Sequence, residues 1–264
     1  MNELLGRARA QDAAGRAWYR LRQGDRSALT ELIRLAKDGN PQAQLYIGYL
    51  LDNGEFVAQD SKAAAAYFTA AAPHNPIAKY DLGLLYMLGR GVPQDEKRAL
   101  QLFTESHKES NLEYAGVRLA QHFLKEKNWN EAWRFGESAA NLGNSFGFFT
   151  LGLISFQRRD YRTAANWLSK AAQAGDKNAP RYLTQLYATA AFPEANPVIS
   201  GMWKIIDDVM NGRSASPGVG GVAGLSVEDV ATARSLARDW LGNHGRPQKL
   251  QYSKTIYEPP SRSH

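Results

Sequence analysis

Five histidines, at positions 74, 107, 122, 244 and 264, are the side chains best suited to metal or proton chemistry. None has a partner at metal-ligand spacing, and no H-E-x-x-H or similar pair occurs. His122 is expected to be an ordinary packed or exposed imidazole. The chain has no cysteine, which removes structural disulfides, thiolate zinc sites and cysteine nucleophiles together. No serine lies in G-x-S-x-G, and Ser169-Lys170 lacks the S-x-x-K spacing. Gly218 to Gly224 matches a phosphate-cradling loop in composition only. The turn-rich Asn211 to Pro217 precedes it where a strand would be required. No catalytic, cofactor-binding or metal-ligating residue is assigned, no cofactor is expected, and the chain is read as a non-enzyme.

The remaining chemistry is recognition. Tyr46, Tyr49, Asp52, Tyr80, Asp81, Leu84, Met87, Tyr114, Arg118, Gln121, Phe149, Phe156, Arg181, Tyr182 and Gln185 recur on the first helices of successive segments, at positions expected to line an open, concave face that binds the partner. Tyrosine offers a large contact area at low entropic cost and keeps a polar handle, so such a set suits a protein interface. A nucleic-acid surface would need a basic stripe with stacking aromatics. Arg16, Arg20 and Arg22 with Trp18 and Tyr19 come closest, but they fall in an opening helix whose aromatics are expected to be buried. Nucleic acid therefore ranks below protein as a partner.

These residues are positioned by a repeat. Ala43 to Asp60 returns thirty-five residues on as Ala78 to Asp95, with Ala, Gly, Gly, Val, Gln and Asp recurring in place. Ala64 and Phe68 return likewise as Ala99 and Phe103. A unit of this length holds two helices and cannot bury its own apolar face, so it must stack on copies of itself. The first repeat predicts helices over Pro41 to Asp52 and Ser61 to Ala72, the second spans Pro76 to about His107, and Asp60 and Asp95 stand where they would cap the second helix of each. Two shorter repeats follow, thirty-two residues apart, with Leu119-Ala120 answered by Leu151-Gly152. The small residues Gly48, Gly83, Ala120 and Gly152 mark one position where a neighbouring helix must come close.

The expected architecture is all-α, an α/α solenoid of five to six helix pairs in a right-handed superhelix. Residues 1–40 form a capping pair, with helices over Ala13 to Gln23 and Ser27 to Lys37. Residues 41–210 form the array, 211–225 a Gly/Pro/Ser loop, 226–241 a closing helix and 242–264 an extended tail. Ser226 and Asp229 resemble a capping box. Val230, Ala233, Leu236, Ala237 and Trp240 form the stripe that should dock the closing helix on the array. The tail carries Tyr252 and Tyr257 as tethers.

The order A-x-x-x-[LI]-G, then G-x-x-V-x-Q-D, then K-x-A resembles the Sel-one-like repeat family, the longer-looped relative of the tetratricopeptide repeat. The likeness is strong over 43–72 and 78–106 and shades into plain tetratricopeptide-like spacing from Tyr114 to Gly175. The resemblance implies a non-catalytic interaction adaptor that binds a protein partner. Family members include signalling scaffolds, envelope and virulence factors, and immunity proteins. The role expected first is an immunity protein against a secreted antibacterial effector, with an adaptor in envelope assembly, virulence or regulation as the alternative.

Bulk composition agrees with a folded, soluble chain: 264 residues, 44% hydrophobic and 22% charged. The net charge of +6 is spread along the sequence and would suit an acidic partner. Met1 to Asp25 has no apolar run, so it is neither a secretory signal nor a membrane span. The expected location is cytoplasmic as written, or periplasmic if a signal has been removed.

Overall fold

In each of three helical hairpins, a glycine on the first helix faces a bulky side chain on the second. The computed structural model describes residues 13–110, 112–213 and 225–244. Its helices are α1 (13–22), α2 (Ser27–Lys37), α3 (Pro41–Asn53), α4 (Ser61–Ala71), α5 (Pro76–Leu88), α6 (Glu96–Ser110) and α7 (Glu113–Lys125). They continue as α8 (Trp129–Asn141), α9 (Ser145–Gln157), α10 (Tyr161–Gln173), α11 (Ala179–Ala188), α12 (Pro197–Met210) and α13 (Val227–His244). Among the described residues there is no strand. The chain is an all-α solenoid of stacked helix pairs. It forms two compact units that divide within α7, between Ala115 and Gly116.

The first unit holds the two long-looped repeats. A Cβ added at Gly48 would lie 2.6 Å from the Phe68 ring, and one at Gly83 would lie 2.7 Å from the Phe103 ring. The bare glycines thus seat the two rings, which are 2% and 0% exposed. Between the helices the motif G-x-x-V-x-Q-D builds one loop twice. Gly54 and Gly89 end α3 and α5 in the left-handed region at φ 70° and 65°. The Gln59 amide donates back to the Asp52 carbonyl at 2.7 Å, and Gln94 to the Met87 carbonyl at 3.0 Å. Asp60 and Asp95 then cap α4 and α6, accepting from Ala63 N and Arg98 N at 2.9 Å each. The repeated Gln and Asp therefore close a loop and start a helix.

The second unit uses a tighter connection. Lys127 and Arg159, thirty-two residues apart, both take positive φ (55° and 60°) and replace the long loop with a short turn. Asn128 and Asp160 cap the helices that follow, accepting from Glu131 N and Thr163 N. Gly152 seats Leu168, whose Cγ would be 2.7 Å from an added Cβ. A closer approach in this unit is at Gly147 of α9, where a Cβ would lie 2.3 Å from the backbone nitrogen of Ala140 in α8. Beyond α11, residues 189–196 form an expanded connection, anchored by Phe192, which is 1% exposed and contacts the Tyr187 and Tyr161 rings.

The closing helix docks on α12 through Ala233, Ala237 and a Trp203–Trp240 edge contact at 5.3 Å. Its capping box forms as expected, with Asp229 N donating to Ser226 Oγ at 3.1 Å and Ser226 N to Asp229 Oδ2 at 3.0 Å. Two details differ from expectation. Leu236 is 36% exposed and so lies outside the docked stripe. The helix also continues to His244, whose ring stacks on Trp240 at 4.6 Å, because no proline stops it before Pro247. The glycine segment 218–224 and the tail tyrosines Tyr252 and Tyr257 lie outside the described residues.

Glycine-to-alanine substitutions separate the two kinds of close approach. Gly48→Ala pushes on an aromatic ring that can tilt, whereas Gly147→Ala pushes on backbone. Alanine favours an isolated helix by up to about 1 kcal/mol, yet overpacking costs about 1–3 kcal/mol and more where backbone must move. Urea unfolding should show Gly147→Ala as the more damaging change, with both variants less stable than the parent.

Candidate functional site

Aromatic side chains on the first helix of a hairpin have two directions available: outward to solvent, or sideways onto the next first helix. Much of the sequence-derived set goes sideways. In the first unit Tyr46 lies flat on Trp18 of α1, centroids 4.5 Å apart, and Tyr49 meets the same indole edge-on at 5.8 Å. Tyr80 meets Phe103 at 5.5 Å and Tyr114 at 6.2 Å. Tyr49 and Tyr80 are consequently only 6% exposed. Their expected place on an open face is corrected to the core, and alanine there would remove packing before it removed contacts. Trp18 is buried as expected, while its neighbour Tyr19 is 51% exposed.

Burial, and then the Glu55 carboxylate that accepts the phenol proton at 3.2 Å, push the Tyr49 hydroxyl up to about 12. It remains a donor at any physiological pH. Asp52 is half-buried and forms an ion pair with Arg90 from the loop of the next repeat. That contact is a brace between repeats, so Asp52 serves the stack. Asp81, Leu84, Met87 and Tyr114 are half-buried and keep part of their surface in solvent.

In the second unit the same sideways geometry forms a cluster. Phe149 meets Tyr182 at 5.5 Å, and Phe156 meets Tyr182 and Tyr161 at 5.9 Å each. Phe149 is 7% exposed and belongs to the core, a second correction, while Phe156 and Tyr182 remain half-buried. The polar members are solvent-exposed. Arg118 and Gln121 are exposed and hydrogen-bonded to each other at 3.2 Å. Arg181 and Gln185 are exposed on α11, one turn apart.

Arg181 and Gln185 border a cleft of about 420 Å³ that they share with Thr184, Lys204, Asp207 and Arg213. Sequence reasoning missed Lys204, Asp207 and Arg213 because they come from α12 and the residues after it. The spacing of Lys204, Asp207 and Asp208 on one helix was the available signal. Asp207 and Asp208 are 6% and 5% exposed. Arg213 bonds to both, and Lys204 reaches Asp208 at 2.5 Å. Burial alone would raise the Asp208 carboxyl, but hydrogen bonds from Lys204 and Arg213 outweigh it and hold the group below its ordinary value. His122 is half-buried, edge-on to Phe123 at 5.2 Å. Among the described residues no group of three His, Cys, Asp or Glu side chains is arranged to hold a metal, and no helix is long and apolar enough to cross a membrane.

The family model of the Sel1 repeat matches residues 41–72, 76–106 and 136–176. The chain carries Sel1 repeats. The first two matches begin with α3 and α5, the helices that open the glycine-seated, long-looped hairpins, and the third covers α9 with α10. Sel1 repeat proteins are in general non-catalytic scaffolds that mediate protein–protein interaction. No curated protein matches the chain in sequence.

Among solved structures, a Sel1 repeat protein from Oxalobacter formigenes is similar with a TM-score of 0.71 and 23% identity, over 91% of this chain and 99% of that one. The protective antigen c5321 of uropathogenic Escherichia coli, which displays the same fold, is similar with a TM-score of 0.70 and 22% identity. That match covers 82% of this chain but 49% of the antigen, so the chain spans about half its length. Both likenesses concern the fold alone. Immunity protein Pa5087 of Pseudomonas aeruginosa reaches a TM-score of 0.44 at 15% identity over 89% and 83% of the two chains, a level that carries no argument.

One Sel1-type turn differs from its counterparts in a way that titrates. Asn40, Asn75 and Asn144 each accept backbone N–H bonds at the start of a first helix. Before α11 the same work falls to Asp176, which accepts from Asn178 N at 2.8 Å and Ala179 N at 2.9 Å. Burial raises its carboxyl from 3.8 to about 6, against the opposing pull of those two donors. The folded state therefore binds this proton more readily than the unfolded chain, and the group's contribution to stability grows as pH falls from above 6 towards 4. Asp176→Asn should raise the melting temperature at about pH 8 and change it little near pH 4. Thermal melts of both forms across that range check the sign.

Proposed function

We propose that this chain is a non-catalytic protein-binding scaffold that engages its partner through the solvent-facing positions of its first helices. More narrowly, we propose that it is an immunity protein that blocks a secreted antibacterial effector. The observation that carries the binding reading is the set of exposed polar side chains, Arg118, Gln121, Arg181 and Gln185, with half-buried Phe156 and Tyr182 in the same unit. Half-buried aromatics held in place by their neighbours lose little entropy on contact, and exposed arginines add directional hydrogen bonds. A stable complex needs about 1,600 Å² of buried surface, an area large enough to cover an effector's active site. The net charge of +6 would steer an acidic effector towards the surface. An immunity protein must sit where its effector acts, in the cytoplasm or the periplasm.

Sibling competition tests the role. Cells lacking the gene should be killed by attackers that carry the effector, and a plasmid copy should restore resistance. Arg118→Ala and Arg181→Ala should each weaken effector binding by about tenfold with unchanged thermal melts. Full resistance of the deletion strain would overturn the immunity role. An adaptor in envelope assembly or regulation would then remain, recognised by an envelope or expression phenotype in the same strain.

A further inference from the structure

The cleft between α11 and α12 has an uneven charge balance. Of its three lining cations, Arg213 pairs with Asp207 in the lining and with buried Asp208 outside it, Lys204 pairs with that same Asp208, and Asn211 Nδ2 donates to Asp207 Oδ1 at 2.9 Å. These two aspartates and two cations neutralise one another. Arg181 is left over. It is exposed at the cleft, and among the described residues its side chain makes neither an ion pair nor a hydrogen bond. The Gln185 amide one turn along is exposed in the same condition. The Thr184 hydroxyl already donates to the Pro180 carbonyl at 2.9 Å, so towards the cleft its oxygen is an acceptor. The lining thus carries one unneutralised guanidinium, with a free amide donor beside it, over a floor whose polar groups are already satisfied.

We propose that this cleft is a subsite for a single carboxylate of the bound partner, held by Arg181 with support from Gln185. The inference rests on the reading of the chain as a protein binder and names what one part of that partner must present. A guanidinium fork matches the two oxygens of a carboxylate, and the Gln185 amide extends the same donor edge. A phosphate dianion is disfavoured, because its second charge would face Asp207 while Lys204 and Arg213 are already paired with aspartates. The volume of about 420 Å³ admits an acidic side chain or a chain terminus with its neighbouring residues. Lys204 and Arg213 keep their aspartate partners and shape the wall, so the contact with ligand falls to Arg181.

Two capped peptides distinguish the sources of the carboxylate. One carries a single internal glutamate and an amidated end; the other has no acidic side chain and a free C-terminus. Titration of the full chain should shift the side-chain NMR signals of Arg181 Nε and Gln185 for at least one of them. Arg181→Gln should weaken that binding by about tenfold or more, and Arg181→Lys should recover part of it. A glutamate-only response assigns a side-chain ligand; a terminus-only response assigns a chain end. If neither peptide moves these signals at millimolar concentration, or if inorganic phosphate moves them at lower concentration than either, the proposal is wrong. The assay uses no effector, so its failure leaves the immunity role untouched, and a negative competition result leaves the cleft untouched.

Discussion

Close approach between paired helices is the constraint on which the rest of the structure depends. Phe68, Phe103 and Leu168 can be buried only because Gly48, Gly83 and Gly152 present no side chain to them. Gly147 applies a bare glycine between successive hairpins, where α9 meets the backbone of α8. Each hairpin is then thin enough for its outer faces to lie against the next hairpin. Without that thinness, the aromatic contacts from one first helix to the next would be out of reach.

The loops convert this packing into a repeat. In the first unit, Gln59 and Gln94 close their turns with the same bond to a carbonyl near the end of the preceding helix. Arg90 crosses from its own loop to Asp52 of the repeat before. The second unit reaches a similar hairpin with the single positive-φ residues Lys127 and Arg159. Two chemistries of connection therefore serve one packing rule, which is why the spacing changes along the chain while the small residues keep their place.

The proposed binding face follows from how aromatics are shared. A tyrosine on a first helix stabilises the stack when it leans on its neighbour and becomes available to a partner only as far as it does not. Tyr49, Tyr80 and Phe149 are used almost wholly by the stack, and Tyr114, Phe156 and Tyr182 are divided between the two demands. Arginine and glutamine have no such competing use. In the proposed interface, contact with a partner would fall mainly to the exposed polar positions, framed by half-buried rings.

The sequence by itself determined the repeat, the helix boundaries to within a few residues, and the caps at Asp60, Asp95 and Ser226. All of these depend on residue type and local spacing: a carboxylate or hydroxyl beside the first turn, a glycine at its end, apolar residues at helical period. It also located the glycines that face bulky side chains, since a missing side chain recurring at one position has few other causes. Tertiary structure decided how far Tyr49, Tyr80 and Phe149 are buried, because that depends on a neighbouring helix some thirty residues away along the chain. It also decided the cleft, where Arg181 of α11 meets Lys204 and Arg213 across a connection without regular period. Local spacing cannot report either feature, because burial and charge balance are set by residues that are distant in sequence and adjacent only once the chain has folded.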